Sequence, residues 1–332
     1  MNPRLTGALA ALLILPAQAQ ETPPEAGLAL ATLNVQEGGT RGEDGVWRGG
    51  TFRLVPRFDA PAGHGPRDQL VAFEGPGWES DRVGYRLYLD ERNVPDVYGK
   101  KLPGAVLPRI GQGKDDYHDM ADWGMDILQV DATLGAGGIG VLRAGKVTQL
   151  GPARLASSVV SLPDRAIVMV ESRGWAGEGG PANMVASYAI SPGSRLTHVE
   201  AHLAGHVPQM MAGLVRHPGT VAVEGGSGKW RYAASWGDQS LAKDGLGLAL
   251  FFRRDEAGGP ADRDGNIAIA FCDRGVLRYA FAAAWVQEPG APRTLPEYRA
   301  WLDATVKELD GGDQRVLEKD CVYDAGVGTR RQ

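Results

Sequence analysis

A mainly β fold, a single large antiparallel sandwich closed by one C-terminal helix, is what this 332-residue sequence predicts. Three observations carry that expectation. Short segments rich in β-branched and aromatic residues recur between Gly, Pro and Asp turns, one stretch near the end has helical periodicity, and no linker or fixed-period repeat divides the chain. The 47 glycines and 21 prolines suit a chain of strands and tight turns.

The elements follow in order. Arg4, an apolar run over 9–15 and the small residues Ala17-Gln18-Ala19 read as a secretory signal peptide spanning 1–19, cleaved near Ala19. Its apolar run is too short to span a bilayer, and no other stretch is long enough, so no membrane insertion is expected. Residues 20–332 are then one sandwich domain, periplasmic or secreted, behind an acidic lead over 20–25. Strand patterns fall at 51–57, 69–73, 84–90, 139–143, 159–162, 166–172, 184–190, 195–203, 247–253 and 277–285. Arg143-Ala144-Gly145-Lys146 reads as a two-residue hairpin. Thr294-Leu295-Pro296-Glu297 is a capping box with proline in the first turn, and Leu295, Tyr298, Leu302, Val306 and Leu309 form one helical face behind it.

A net charge of -5 leaves no basic footprint for nucleic acid, although a local Arg/Lys cluster could still hold an acidic polysaccharide. Cys272 and Cys321 are equally readable as a bridge or as two buried thiols. Without a CxxC pair, a cysteine zinc site is excluded in practice. Gly135-Ala136-Gly137-Gly138-Ile139-Gly140 has the letters of a dinucleotide loop, but a hairpin strand follows where a helix would have to open, so the glycines are read as backbone geometry.

Three constellations hold chemistry. In the first, Asp115, Asp116, Asp119, Asp122 and Asp126 surround Tyr117, His118 and Trp123. Read as a helix, this segment pairs His118 with Asp122; a solvated acidic turn explains the same composition. An aromatic platform with a few polar groups is what sugar sites use. The second is the strand pattern with His198, Glu200 and His202 on one face, either a zinc or general-base cluster or a solvent-facing polar side, with His206, Arg216 and His217 following. The third runs from Glu79 to Asp90, where Arg86 and Tyr88 share a face and can clamp a carboxylate and stack on a sugar; an ion pair of Arg86 with Asp90 or Glu79 is the ordinary alternative.

Gly77-Trp78-Glu79, Val83 to Asp90, Asp96-Val97-Tyr98-Gly99-Lys100, Tyr117-His118, Asp122 to Leu128 and Leu134 to Gly138 together resemble a family of exported bacterial proteins known as a domain of unknown function, often encoded beside genes for pectin and other uronate-rich polysaccharides. The likeness runs on through Phe281 to Trp285 and the terminal helix. It implies a β-supersandwich like those of galactose mutarotases and several polysaccharide lyases, and a place in uronate catabolism.

The resulting expectation is a lyase that cleaves an acidic oligo- or polysaccharide by β-elimination. Such a reaction needs a neutraliser for the substrate carboxylate, a base for the proton beside it and an acid for the leaving oxygen. Arg86, with Lys100 or Arg216, is expected to neutralise, His118 to act as base, and Tyr117 or Tyr88 as acid. Trp123 is expected as platform, with Asp122, His217 and Glu79 beside the substrate. The alternatives are hydrolysis by two carboxylates among Glu79, Asp122, Asp126 and Glu200, a non-catalytic oligosaccharide-binding or accessory protein, and a mutarotase or epimerase. No cofactor is required, and calcium is allowed at Asp115, Asp116 or Asp119.

Overall fold

The computed structural model describes residues 27–114, 116–273, 275–324 and 329–330. The signal-peptide assignment, the acidic lead and Asp115 lie outside the described residues.

Three antiparallel sheets carry the fold. The main sheet has nine strands, in the spatial order Val221–Gly225, Trp230–Gly237, Leu246–Arg253, Val276–Trp285, Leu196–Gly205, Pro181–Ile190, Arg165–Ala176, Arg154–Leu162 and Arg57–Asp59. A five-stranded polar sheet runs Ala29–Thr32, Gly77–Ser80, Val83–Leu87, Pro95–Lys100 and Gly124–Asp126. A third sheet, also of five strands, runs Lys146–Thr148, Ala136–Arg143, Met210–Val215, Asn266–Ala270 and Ala261–Arg263. The expected sandwich is therefore present: the polar and third sheets pack on one face of the main sheet, and the helix Leu295–Gly312 packs on the other.

Period-two alternation builds those layers. Along Val276–Trp285, Leu277, Tyr279, Phe281, Ala283 and Trp285 enter the core shared with the two smaller sheets, while Ala280, Ala282 and Ala284 meet the helix. Small side chains on that second face let Tyr298, Leu302 and Val306 approach closely and become buried, each worth about 1.5–3 kcal/mol of transfer from water. Thr294 caps the helix as expected, its Oγ1 accepting from the Glu297 N–H at 3.4 Å, and Glu297 reaches back to accept from the Arg293 N–H at 2.7 Å. Trp78 clamps the polar sheet to the main one, stacking on Tyr188 at 5.2 Å and donating from Nε1 to Thr197 Oγ1 at 2.9 Å.

The glycine motif lies in the strand Ala136–Arg143, followed by the expected hairpin with Arg143 opposite Lys146 and Gly145 at φ 76°. Gly137 has φ 95°, and a Cβ there would come within 2.5 Å of the Phe281 ring, so glycine is needed for the approach of this strand to the main sheet. Two expectations fail locally. Residues 69–73 form no strand: Val71 makes an isolated bridge with Val35 and the chain turns into a 3-10 helix, Ala72–Glu74. The helix considered across the acidic segment is also absent; the chain turns and bends into the short strand Gly124–Asp126, so no i,i+4 pairing of His118 with Asp122 is built. Cys272 and Cys321 are bridged, with Cα atoms 5.8 Å apart across 49 residues, which ties the segment after the helix back to the third sheet.

Candidate active site

The polar sheet has two buried faces of opposite character. Trp78, Tyr85, Leu87, Val97 and Met125 point into the main core. On the other face the register places Arg86 opposite Asp96, Asp126 opposite Tyr98 and Glu79 opposite Gly84, so Glu79, Arg86, Asp96, Tyr98, Lys100 and Asp126 share one side. A sheet face with that many charges would normally meet water. Here the loop 101–123 covers it, packing Val106, Leu107, Ile110 and Tyr117 with Ala72, Phe73 and Tyr98.

Glu79 and Lys100 fasten the cover. Lys100 Nζ donates to Glu79 Oε2 at 2.8 Å and to the Ser80 and Gly104 carbonyls, while Glu79 accepts from the Val106 and Leu107 N–H groups. Both side chains are essentially fully buried and committed to these bonds. They anchor the loop; their burial does not fit the expected roles, Lys100 as neutraliser of a substrate carboxylate and Glu79 beside the substrate.

Arg86 lies at the centre of the remaining charges, 2 % exposed. Its Nη2 donates to Asp96 Oδ2 at 2.6 Å, Asp126 Oδ2 at 2.8 Å and Tyr88 Oη at 2.8 Å, and its Nη1 to the Phe73 carbonyl at 3.2 Å. Tyr88 in turn donates to Asp96 Oδ2 at 2.7 Å. The pair with Asp90 or Glu79 considered from sequence is absent: Asp90 binds Arg92 instead. One guanidinium thus serves two carboxylates, with Glu74 3.8 Å away. Burial, reinforced by the negative charge of Asp96, pushes the Asp126 carboxyl well above the usual range. Burial and Asp96 likewise push the Tyr88 phenol up, which keeps it a proton donor.

Over this network opens a cavity of about 630 Å³. Arg86, Tyr88, Tyr117 and His118, the four expected catalytic residues, all line it, together with Glu74, Asp126, Arg67, Arg92 and Lys114. Tyr117 is buried, its carbonyl accepting from the Asp126 N–H at 2.8 Å and its ring 5.2 Å from the Arg86 guanidinium. His118 is exposed at the lip, with its ring centroid 4.3 Å from that of Tyr117. Arg92 lies over the Tyr88 ring at 3.5 Å and bonds Glu74 Oε1 at 3.0 Å. The backbone of this wall is unusual: the non-glycine residues Arg67, Gln69, Phe73, Glu74 and Asp131 all have positive φ. Such strain concentrates at sites where side-chain direction matters.

The other expected residues lie elsewhere. Trp123 is half-buried against Tyr98, 6.2 Å between rings, and Asp122 is exposed beside it; neither lines the cavity. Arg216 is held by Asp262 and Thr220, and His217 stands just behind the cavity wall, hydrogen-bonded to the Gln129 backbone. His198, Glu200 and His202 lie on the outer face of the main sheet, where Glu200 Oε1 meets His202 Nε2 at 2.7 Å and Glu200 Oε2 accepts from Arg278 at 2.9 Å. Among the described residues no group of three or more His, Cys, Asp or Glu side chains has a geometry that could hold a metal ion, and Asp116 is engaged with the Gly111 N–H.

Glu74, Arg92 and Asp96 escaped the sequence reading as site residues. Asp96 and Asp126 had a signal, each being an acid inside an apolar strand run. Glu74, in Phe73-Glu74-Gly75-Pro76, had none, because its placement depends on the left-handed turn that Phe73 and Glu74 adopt.

Residues 14–311 match the model of the domain of unknown function DUF4861, and the chain belongs to that family. No curated protein matches it. No helix among the described residues is long and apolar enough to cross a membrane.

Proposed function

We propose that this DUF4861 protein is an exported enzyme of acidic-polysaccharide breakdown, a lyase that cleaves uronate-containing chains by β-elimination in the Tyr117–His118 cavity. The observation that carries the reading is the cavity itself: a phenol and an imidazole 4.3 Å apart on a wall that also presents Arg67, Arg92 and Lys114. The pattern of residues 1–19 and the disulfide support an oxidising, exported setting.

In this reading Arg67 and Lys114 meet the substrate carboxylate, since Arg86 is already spent on Asp96 and Asp126 and Arg92 on Asp90 and Glu74. Neutralising that carboxylate acidifies the adjacent C–H. His118 takes the proton, the C–O bond across the ring carbon breaks as the carbon–carbon double bond forms, and Tyr117 delivers a proton to the departing oxygen. Arg86 positions Tyr88 and Asp126 beneath the sugar. The test is incubation of the pure protein with pectic, alginate and glycosaminoglycan oligosaccharides, following ultraviolet absorbance of the unsaturated product. We expect His118→Ala and Tyr117→Phe to lower the rate by about 10²–10⁴-fold. Full activity of His118→Ala on every cleaved substrate would refute the assignment.

A second reading has its own observation. Asp126, its carboxyl pushed up by burial and by Asp96, lines the same cavity as Glu74, the pairing of raised acid and second carboxylate that hydrolysis uses. New reducing ends without ultraviolet absorbance would select it. Turnover in neither channel would favour a binding or accessory role.

A further inference from the structure

A second concavity, about 760 Å³, lies on the other side of the molecule between the C-terminal helix and the turn 191–195. The layers run helix, main sheet, polar sheet, covering loop, so this groove and the Tyr117–His118 cavity open at opposite ends of the stack. Trp301 forms one wall. Its indole is half-buried, stacked on Tyr298 at 5.7 Å with 22° between planes and backed edge-on by Phe251 at 6.2 Å. Such a sandwich fixes the ring without enclosing it. Hydrogen-bonding groups surround it: Thr305 and Glu308 from the helix, His198 from the sheet, and Ser191 and Ser194 from the turn.

The charges in the groove are largely cancelled. Arg195, 6.0 Å from the Trp301 centroid, is held by buried Glu288 at 2.6 Å, and Asp313 is taken by Arg253 and Arg315. Partial desolvation pulls the His198 imidazole below its ordinary value, against the opposing charge of Glu308. Among the described residues Glu308 is the one charged group of the groove with no ion pair. An anionic ligand gains nothing here, whereas a fixed indole face with a carboxylate, an imidazole and hydroxyls suits the C–H face and hydroxyl groups of an uncharged sugar ring.

We propose that this groove is a saccharide-binding site distinct from the reaction cavity, taking uncharged pyranose residues stacked on Trp301. It stands independently of the lyase reading, because it concerns binding at another surface and other residues. A chain with both neutral and acidic regions could then be held at one face and processed at the other.

The test is titration of the full protein with neutral gluco-, galacto- and manno-oligosaccharides and, separately, with a galacturonate oligosaccharide, by calorimetry. We expect saturable binding of at least one neutral probe, weakened about tenfold or more by Trp301→Ala, largely restored in Trp301→Phe, and weakened several-fold by Glu308→Ala. The last change is on an exposed side chain and guards against a folding defect in the first. Tyr117→Phe should leave neutral-probe binding intact. The proposal is overturned if no neutral probe binds, if binding survives both groove changes, or if Tyr117→Phe abolishes it. It is also overturned if these groove changes alter only self-association in light scattering. If the native protein cleaves no uronate oligosaccharide while neutral binding is retained, the lyase reading alone falls.

Discussion

Arg86 and Arg278 each bond a carboxylate on a neighbouring β-strand, yet they occupy different physical worlds. Arg86 and Asp96 are 2 % and 1 % exposed under the covering loop, whereas Arg278 and Glu200 are 40 % and 44 % exposed on the outer main sheet. In the first place charge is out of water and every donor needs a partner; in the second, water screens the pair and would replace it at little cost. Of the two, only the first carries a carboxyl, Asp126, that burial pushes well above its usual range, whereas Glu200 is drawn below it by Arg278. The covering loop, with its Glu79–Lys100 fastening, makes the difference.

The sharpest way to break this contrast is Arg86→Met. It leaves Asp96 and Asp126 facing each other without a cation, and we expect a loss of about 3–5 kcal/mol in urea unfolding. Lys100→Met should cost about 3 kcal/mol for the same reason at the loop anchor, and a double variant with Glu79→Gln should cost less than the two changes summed. A loss below about 1 kcal/mol for Arg86→Met would mean that water reaches the network.

A subtler effect comes from Asp126. Its folded-state pKa lies above its unfolded value, so its contribution to stability is complete at acid pH and is lost as pH rises through the raised value. Asp126→Asn mimics the protonated form and cannot ionise. The stability of this variant relative to the native protein should therefore climb from mildly acidic to alkaline conditions, while turnover falls if the proton is used in catalysis. A flat difference across the pH series would show that Asp126 does not retain a proton. The smallest effect belongs to the exposed pair: Glu200→Ala should change stability by less than about 1 kcal/mol, and a cost several times larger would erase the distinction between the two regions.

Much of this was legible along the chain, because periodicity reports which residues share a face. Tyr85 and Leu87 against Arg86, and Val199 and Ala201 against His198 and Glu200, segregate as alternation requires. What alternation cannot report is which face a later segment will cover. Arg86 and His202 read alike as polar-side residues, and the loop 101–123, which carries no strand pattern of its own, buries one and leaves the other in water. Tyr117 and His118, which line the candidate cavity, stood out in the sequence because aromatic and titratable residues crowd together locally. Glu74 did not, since a turn with two left-handed residues places it just past a segment that reads as strand, nor did Arg92, which lies in the turn after the predicted strand 84–90.

That turn has a price in evolvability. Residues 67, 69, 73 and 74 each hold a backbone conformation that costs an L-residue about 1 kcal/mol or more. Selection for heat resistance alone would reach Gln69→Gly or Glu74→Gly quickly, since glycine relieves the cost directly. Such a lineage would gain robustness while slackening the wall that aims Glu74 and Arg67 into the cavity. Survival of these non-glycine residues among heat-selected variants assayed for turnover, and their replacement among variants selected for folding alone, would mark the segment as one kept tense by its work.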